Sequence, residues 1–122
     1  MGKEILGWRI DPRDREALLR RFPPRYAETV ADHVTFGRGG GLTLPDIRLA
    51  EAVGLADDSA GVEALVVALG GSTERPTGGT YHITWSLADG REARESNDAI
   101  AEHGWRPIGE RATIRLEPGS WE

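Results

Sequence analysis

Cysteine is absent from this chain, so disulfides and thiolate zinc sites are excluded, a usage that fits a cytoplasmic protein. No run of about 18 apolar residues occurs, and no transmembrane helix is expected. The opening Met1-Gly2-Lys3-Glu4 leads into a strand-like segment and lacks the pattern of a signal peptide. Positive charge is in short supply: 15 Lys and Arg face 20 Asp and Glu, for a net charge of −5. A protein that grips a long duplex usually presents a basic face, so this balance suits a small phosphate ester or an RNA end better. Five arginines do gather early, at Arg13, Arg15, Arg20, Arg21 and Arg25, but acids lie among them, as on a solvated helix face. Histidine occurs only three times, without local metal-ligand spacing, and neither a metal nor another cofactor is expected.

Two of those histidines open nearly identical stretches, His33-Val34-Thr35-Phe36 and His82-Ile83-Thr84-Trp85. Their β-branched and aromatic content predicts strands. Side chains alternate along a strand, so His33 and Thr35 share one face while Val34 and Phe36 share the other. His82 and Thr84 separate from Ile83 and Trp85 in the same way. Each strand thus offers an apolar face to a core and a second face with an imidazole beside a hydroxyl. Two such strands side by side equip one cleft for acid–base chemistry on a phosphate.

The remaining chain reads as one domain over 1–122, of α+β class and largely antiparallel. A strand is expected over 4–10. Asp11 suits an N-cap and Pro12 the first helical position, which predicts a helix over 12–21 with Leu18, Leu19 and Phe22 as its apolar stripe. Pro23-Pro24 ends it. A strand follows over 28–37. The run Gly37-Arg38-Gly39-Gly40-Gly41 is a flexible turn, or a loop whose N–H groups approach an anion. Residues 48–56 and 62–69 read as a strand pair joined by Asp57-Asp58-Ser59-Ala60-Gly61, and the continuously apolar Leu65–Leu69 as buried on both faces. Residues 70–79 form a loop, 80–87 a strand and 88–91 a turn. Ser96 suits the N-cap of a helix over 97–103, which Gly104 stops. His103 falls in its last turn, where a cation suits the helix dipole, and is read as structural. A last strand is expected over 110–117, ended by Pro118-Gly119.

The paired motifs resemble those of the 2H phosphoesterase superfamily, which is named for two His-x-Thr/Ser motifs. Gly7-Trp8, Phe22-Pro23-Pro24-Arg25-Tyr26 and Ser96-Asn97 further resemble its RNA-repair branch, which includes the phosphodiesterase domain of fungal tRNA ligases. The two histidines stand 49 positions apart, closer than in many members, which leaves little room for a lid. The resemblance implies two sheet-bearing lobes with pseudo-twofold symmetry about a central active-site groove, and few helices. It also implies a metal-independent 2′,3′-cyclic phosphodiesterase acting on RNA ends in repair or processing. His33 would be the acid for the ribose 3′ oxygen and His82 the base for water, with a 2′-phosphate as product. Thr35 and Thr84 would bind the phosphate.

Around that core, Arg25 and Arg38 are candidates to fork onto a phosphate. Tyr26, Tyr81 and Trp8 either stack on a base or belong to the core. Asn97 either contacts substrate or holds a loop, while capping accounts for Ser96. The expected partner is an RNA 3′ end or a small cyclic nucleotide, with an RNA ligase or kinase as functional neighbour, no membrane, and a monomeric chain. Two alternatives remain: cleavage of small cyclic phosphates or cyclic oligonucleotide signals, and a non-catalytic RNA- or nucleotide-binding module.

Overall fold

Seven strands and two helices follow the chain in the computed structural model, which describes residues 4–122. In order they are β1 (Ile5–Ile10), α1 (Pro12–Arg21), β2 (Glu28–Thr29), β3 (His33–Arg38), β4 (Leu49–Asp57), β5 (Val62–Leu69), β6 (His82–Leu87), α2 (Glu95–His103) and β7 (Arg106–Trp121). The reading of Met1-Gly2-Lys3 lies outside the described residues. No described helix is long and apolar enough to cross a membrane.

Every strand pairing is antiparallel, in the order β2-β6-β3-β1-β7-β4-β5, and β5 pairs back onto β6, which closes the six longer strands. The class is α+β as expected, but the sheet is one closed six-stranded barrel where the resemblance implies two sheets in separate lobes. The reason is β6, which is bonded along both edges and leaves no gap between halves. Closing so small a barrel needs sharp local twist, which bulges supply. They fall at Leu6/Gly7, at Ala52/Gly54 and at Glu63/Ala64. Gly7 is required at the first: a Cβ there would stand 2.2 Å from the Val34 carbonyl oxygen. Gly54 is required at the second, where the Trp105 ring occupies the space a side chain would take.

The inward-facing residues form the main core. Trp8 and Ile10, Val34 and Phe36, Ala50 and Ala52, Leu65 and Val67, Ile83 and Trp85, Ile114 and Leu116 come from the six strands in alternation. Trp8 meets Phe36 and Tyr81 edge-on, both with ring centroids 6.0 Å apart. β5 is buried on both faces as its apolar run predicts. Leu65, Val67 and Leu69 face the main core, while Ala64 and Val66 pack outside against Ile100 of α2 with Val53 and Ala56. α1 starts where the sequence places it, with the Asp11 carboxylate accepting from the N–H of Arg13 and of Asp14, and it puts Leu18 into the core.

Three boundaries differ from expectation. The strand predicted over 28–37 is broken at Ala31, whose φ of 44° turns the chain. Arg15 bridges the break by donating to the carbonyls of Ala31 (2.6 Å) and Val30 (3.4 Å). β7 is longer than 110–117, and Pro118 pairs with Trp8 within it. The missing N–H is tolerated because β4 pairing ends at Arg115, so one edge of β7 is open at Pro118. The second helix begins at Glu95, so Ser96 lies inside it and is not its cap.

Candidate active site

β3 and β6 meet at Val34 and Ile83. Both residues point into the core, so their neighbours point out of the barrel. An antiparallel register about that pair sets His33 across from Thr84, and Thr35 across from His82. All four side chains line one cavity of about 460 Å³, as do Arg38, Arg75, Thr77, Arg94 and Asn97. In a protein of net charge −5, no carboxylate among the described residues lines this cavity.

The two imidazoles are held differently. His82 is 7% exposed, and its Nδ1 donates to the Thr80 carbonyl at 2.8 Å. That bond fixes the tautomer and leaves Nε2 as an unprotonated acceptor. Burial pushes the His82 pKa down from 6.5 to about 4, against the Thr80 carbonyl, and the charges of Arg75 and His33 add to the fall. His33 pairs through Nδ1 with Asp32 Oδ2 at 3.1 Å. Arg9 Nη1 holds the same carboxylate oxygen at 2.6 Å, and Trp121 packs edge-on against the His33 ring at 4.9 Å. Burial lowers the His33 pKa, while the Asp32 carboxylate works to raise it. Of the two, only His33 has a carboxylate partner, Asp32, that favours its protonated form.

The hydroxyls also differ. Thr84 Oγ1 lies 2.9 Å from Ser96 Oγ and donates at 3.3 Å to the Ala93 carbonyl. Ser96 is fully buried behind it, so this serine serves the second motif, a role its capping propensity concealed. Thr35 Oγ1 makes no hydrogen bond among the described residues and is open to a ligand.

Arg75, in the loop before β6, lines the cavity without being a candidate from the sequence, as do Thr77 and Arg94. Its only signal there is a cation in a Gly- and Pro-containing loop just ahead of a motif. Its Nε donates to the Gly78 carbonyl (2.7 Å), its Nη1 to the Thr35 carbonyl (3.2 Å) and its Nη2 to Asn97 Oδ1 (3.0 Å). Burial pushes its pKa down from the usual value. Asn97 lines the cavity, accepting from Arg75 through Oδ1 and donating its Nδ2–H to the Arg94 carbonyl. Arg38 is also brought in, at the end of β3, beside Gly37. Gly39 and Gly41 sit at positive φ, as a flexible turn requires.

Four candidates, Arg25, Tyr26, Tyr81 and Trp8, are not brought in. Arg25 pairs with Asp57, and Tyr26 donates its hydroxyl to the same carboxylate at 2.8 Å. Their backbone N–H groups bond buried side chains, Arg25 to Glu63 Oε1 and Tyr26 to Ser86 Oγ. Phe22-Pro23-Pro24-Arg25-Tyr26 therefore anchors α1 to the barrel, and Trp85 Nε1 donates to the Phe22 carbonyl in the same cause. Tyr81 is inward by alternation with His82 and packs on Trp8, so neither ring is available to a base.

Among the described residues, no group of three or more His, Cys, Asp or Glu side chains stands together as a metal set. No family model, no curated protein and no solved structure matches this chain.

Proposed function

We propose that this protein is a metal-independent 2′,3′-cyclic phosphodiesterase that opens the cyclic phosphate at an RNA 3′ end. The observation that carries the reading is the convergence of both His-x-Thr motifs on one acid-free cavity with two unequally held imidazoles. Such a reaction needs one neutral and one protonated group on opposite sides of phosphorus. His82 Nε2 takes a proton from water as its oxygen attacks. The P–O3′ bond breaks, and His33 gives its proton to the departing 3′ oxygen. The product is a 2′-phosphate beside a free 3′-hydroxyl. Thr35 and Thr84 donate to the non-bridging oxygens as charge builds in the transition state.

On this reading the Val34–Ile83 pair marks a pseudo-twofold axis relating the two motifs, and the cavity is the groove between them. An RNA ligase or kinase is the natural functional neighbour of an enzyme that remodels RNA ends. The volume of about 460 Å³ also suits a free cyclic mononucleotide as a second substrate. The test is turnover of an oligoribonucleotide bearing a 2′,3′-cyclic phosphate in EDTA, with the product read by phosphorus NMR. A 2′-phosphomonoester supports the reading. An inert protein on that end and on cyclic mononucleotides overturns it.

A further inference from the structure

Arg75 is a cation built into the cavity wall, and among the described residues it has no ion-pair partner. Three of its five N–H groups are taken by the Gly78 and Thr35 carbonyls and by Asn97 Oδ1, none of them an anion. Two N–H groups remain on a guanidinium that lines the same cavity as His33, Thr35, His82 and Thr84. The holding groups belong to both halves of the site. Thr35 is in the first motif, and Asn97 follows Ser96, whose hydroxyl meets the second motif at Thr84. The local backbone makes room for this arrangement. Gly79 has a φ of +79°, and a Cβ there would stand 3.2 Å from Arg75 Nη2 and 3.9 Å from Asn97 Oδ1. A planar cation fixed on three sides and unpaired on the fourth is suited to fork onto two oxygens of one anion.

We infer that Arg75 anchors the non-bridging oxygens of a bound phosphate ester, and that Asn97 is the positioning residue that aims it. This deepens the phosphodiesterase reading and takes the identity of the anion from it. Arg75 supplies a charge that neither neutral His82 nor the threonines can, so it governs affinity for the phosphate as well as turnover.

The test measures binding of adenosine 2′-monophosphate by calorimetry, alongside turnover of the cyclic-phosphate oligoribonucleotide. Wild type is compared with Arg75→Lys, Asn97→Asp and a His33→Ala/His82→Ala double variant. Arg75→Lys keeps the charge but cannot make the three-point fix, and is expected to weaken binding about tenfold or more. Asn97→Asp is nearly isosteric and gives Arg75 a carboxylate partner. Its ion pair with Arg75 offsets the lost Nδ2–H bond to the Arg94 carbonyl, so it is expected to weaken binding by a similar factor while leaving the thermal midpoint nearly unchanged, which a purely structural role would not do. The double variant is expected to lose turnover, and its loss of all binding while Arg75 is intact would overturn the anchor. If wild type binds through Arg75 but turns nothing over, the phosphodiesterase reading falls and the anchor stands. If wild type turns over and both single variants keep its affinity and KM, the anchor falls and the reading stands. A wild type that binds no nucleoside phosphate also overturns the anchor.

Discussion

Thr84 and Ser96 share a hydrogen bond of 2.9 Å, joining the second motif to the first turn of α2. On the proposed reading, Thr84 would turn its proton from the Ala93 carbonyl to a bound phosphate while still accepting from Ser96. That acceptance polarises the Thr84 hydroxyl and fixes its position. Ser96→Ala is expected to lower kcat/KM about tenfold and stability by about 1 kcal/mol, consistent with the loss of one buried hydrogen bond. Steady-state kinetics and urea denaturation check it.

If the protein is the proposed phosphodiesterase, the unequal histidines set its pH profile. His82 must be neutral to act as base, so kcat/KM rises as pH increases through about 4. His33 must hold its proton to act as acid, so kcat/KM falls through a pKa that burial keeps below 6.5. The result is a bell on the acid side of neutrality. Asp32→Asn removes the carboxylate that holds the His33 pKa up. Its basic limb is expected to move to lower pH while the acidic limb stays, and a basic limb that does not move refutes the dyad.

His82 also makes the fold sensitive to acid. Its pKa is about 4 in the folded chain against 6.5 as the unperturbed value. Above pH 6.5 both states leave it neutral and its contribution is fully present. As pH falls from 6.5 to 4 the unfolded chain takes a proton that the folded one refuses, and about 3 kcal/mol is lost. Urea unfolding of wild type and His82→Asn at pH 7 and pH 4 checks this, since the variant is expected to lose less stability between the two.

Trp8 carries a buried indole N–H without a partner among the described residues. Such a group costs about 1–3 kcal/mol. Trp8→Phe removes it and keeps an aromatic edge against Phe36 and Tyr81, so the loss of volume and the gain from desolvation offset. The variant is expected to unfold within about 1 kcal/mol of wild type, whereas Trp8→Ala leaves a cavity and loses about 3–5 kcal/mol. Thermal and urea denaturation distinguish the two.

The parts of this structure legible in the sequence are those that follow from local rules. Period-two alternation separates His33 and Thr35 from Val34 and Phe36, and the Asp11-Pro12 signal starts α1 at the right residue. The unbroken apolar run of β5 announces burial on both faces. Closure of the barrel was not legible, because it depends on bulges whose positions are set by pairing partners distant in the chain. Ser96 misled because the hydroxyl that suits an N-cap suits a tertiary bond equally. Arg25 and Tyr26 sit in a motif-like run, yet the carboxylates of Asp57 and Glu63 claim them from other strands. Arg75 lies in a loop, where no periodicity marks which side chain will point into a site.

On the proposed reading, His33 and His82 act as a pair on a cyclic phosphate. The most direct measurement is kcat/KM on an RNA 2′,3′-cyclic end for wild type, His33→Ala and His82→Ala, each checked for native circular dichroism. Opening of the ring by wild type, with a loss of roughly 10²–10⁴-fold in each folded variant, is the predicted result. Turnover within about threefold of wild type in either folded variant would rule out the two-histidine mechanism, since an acid or base contributes far more than that.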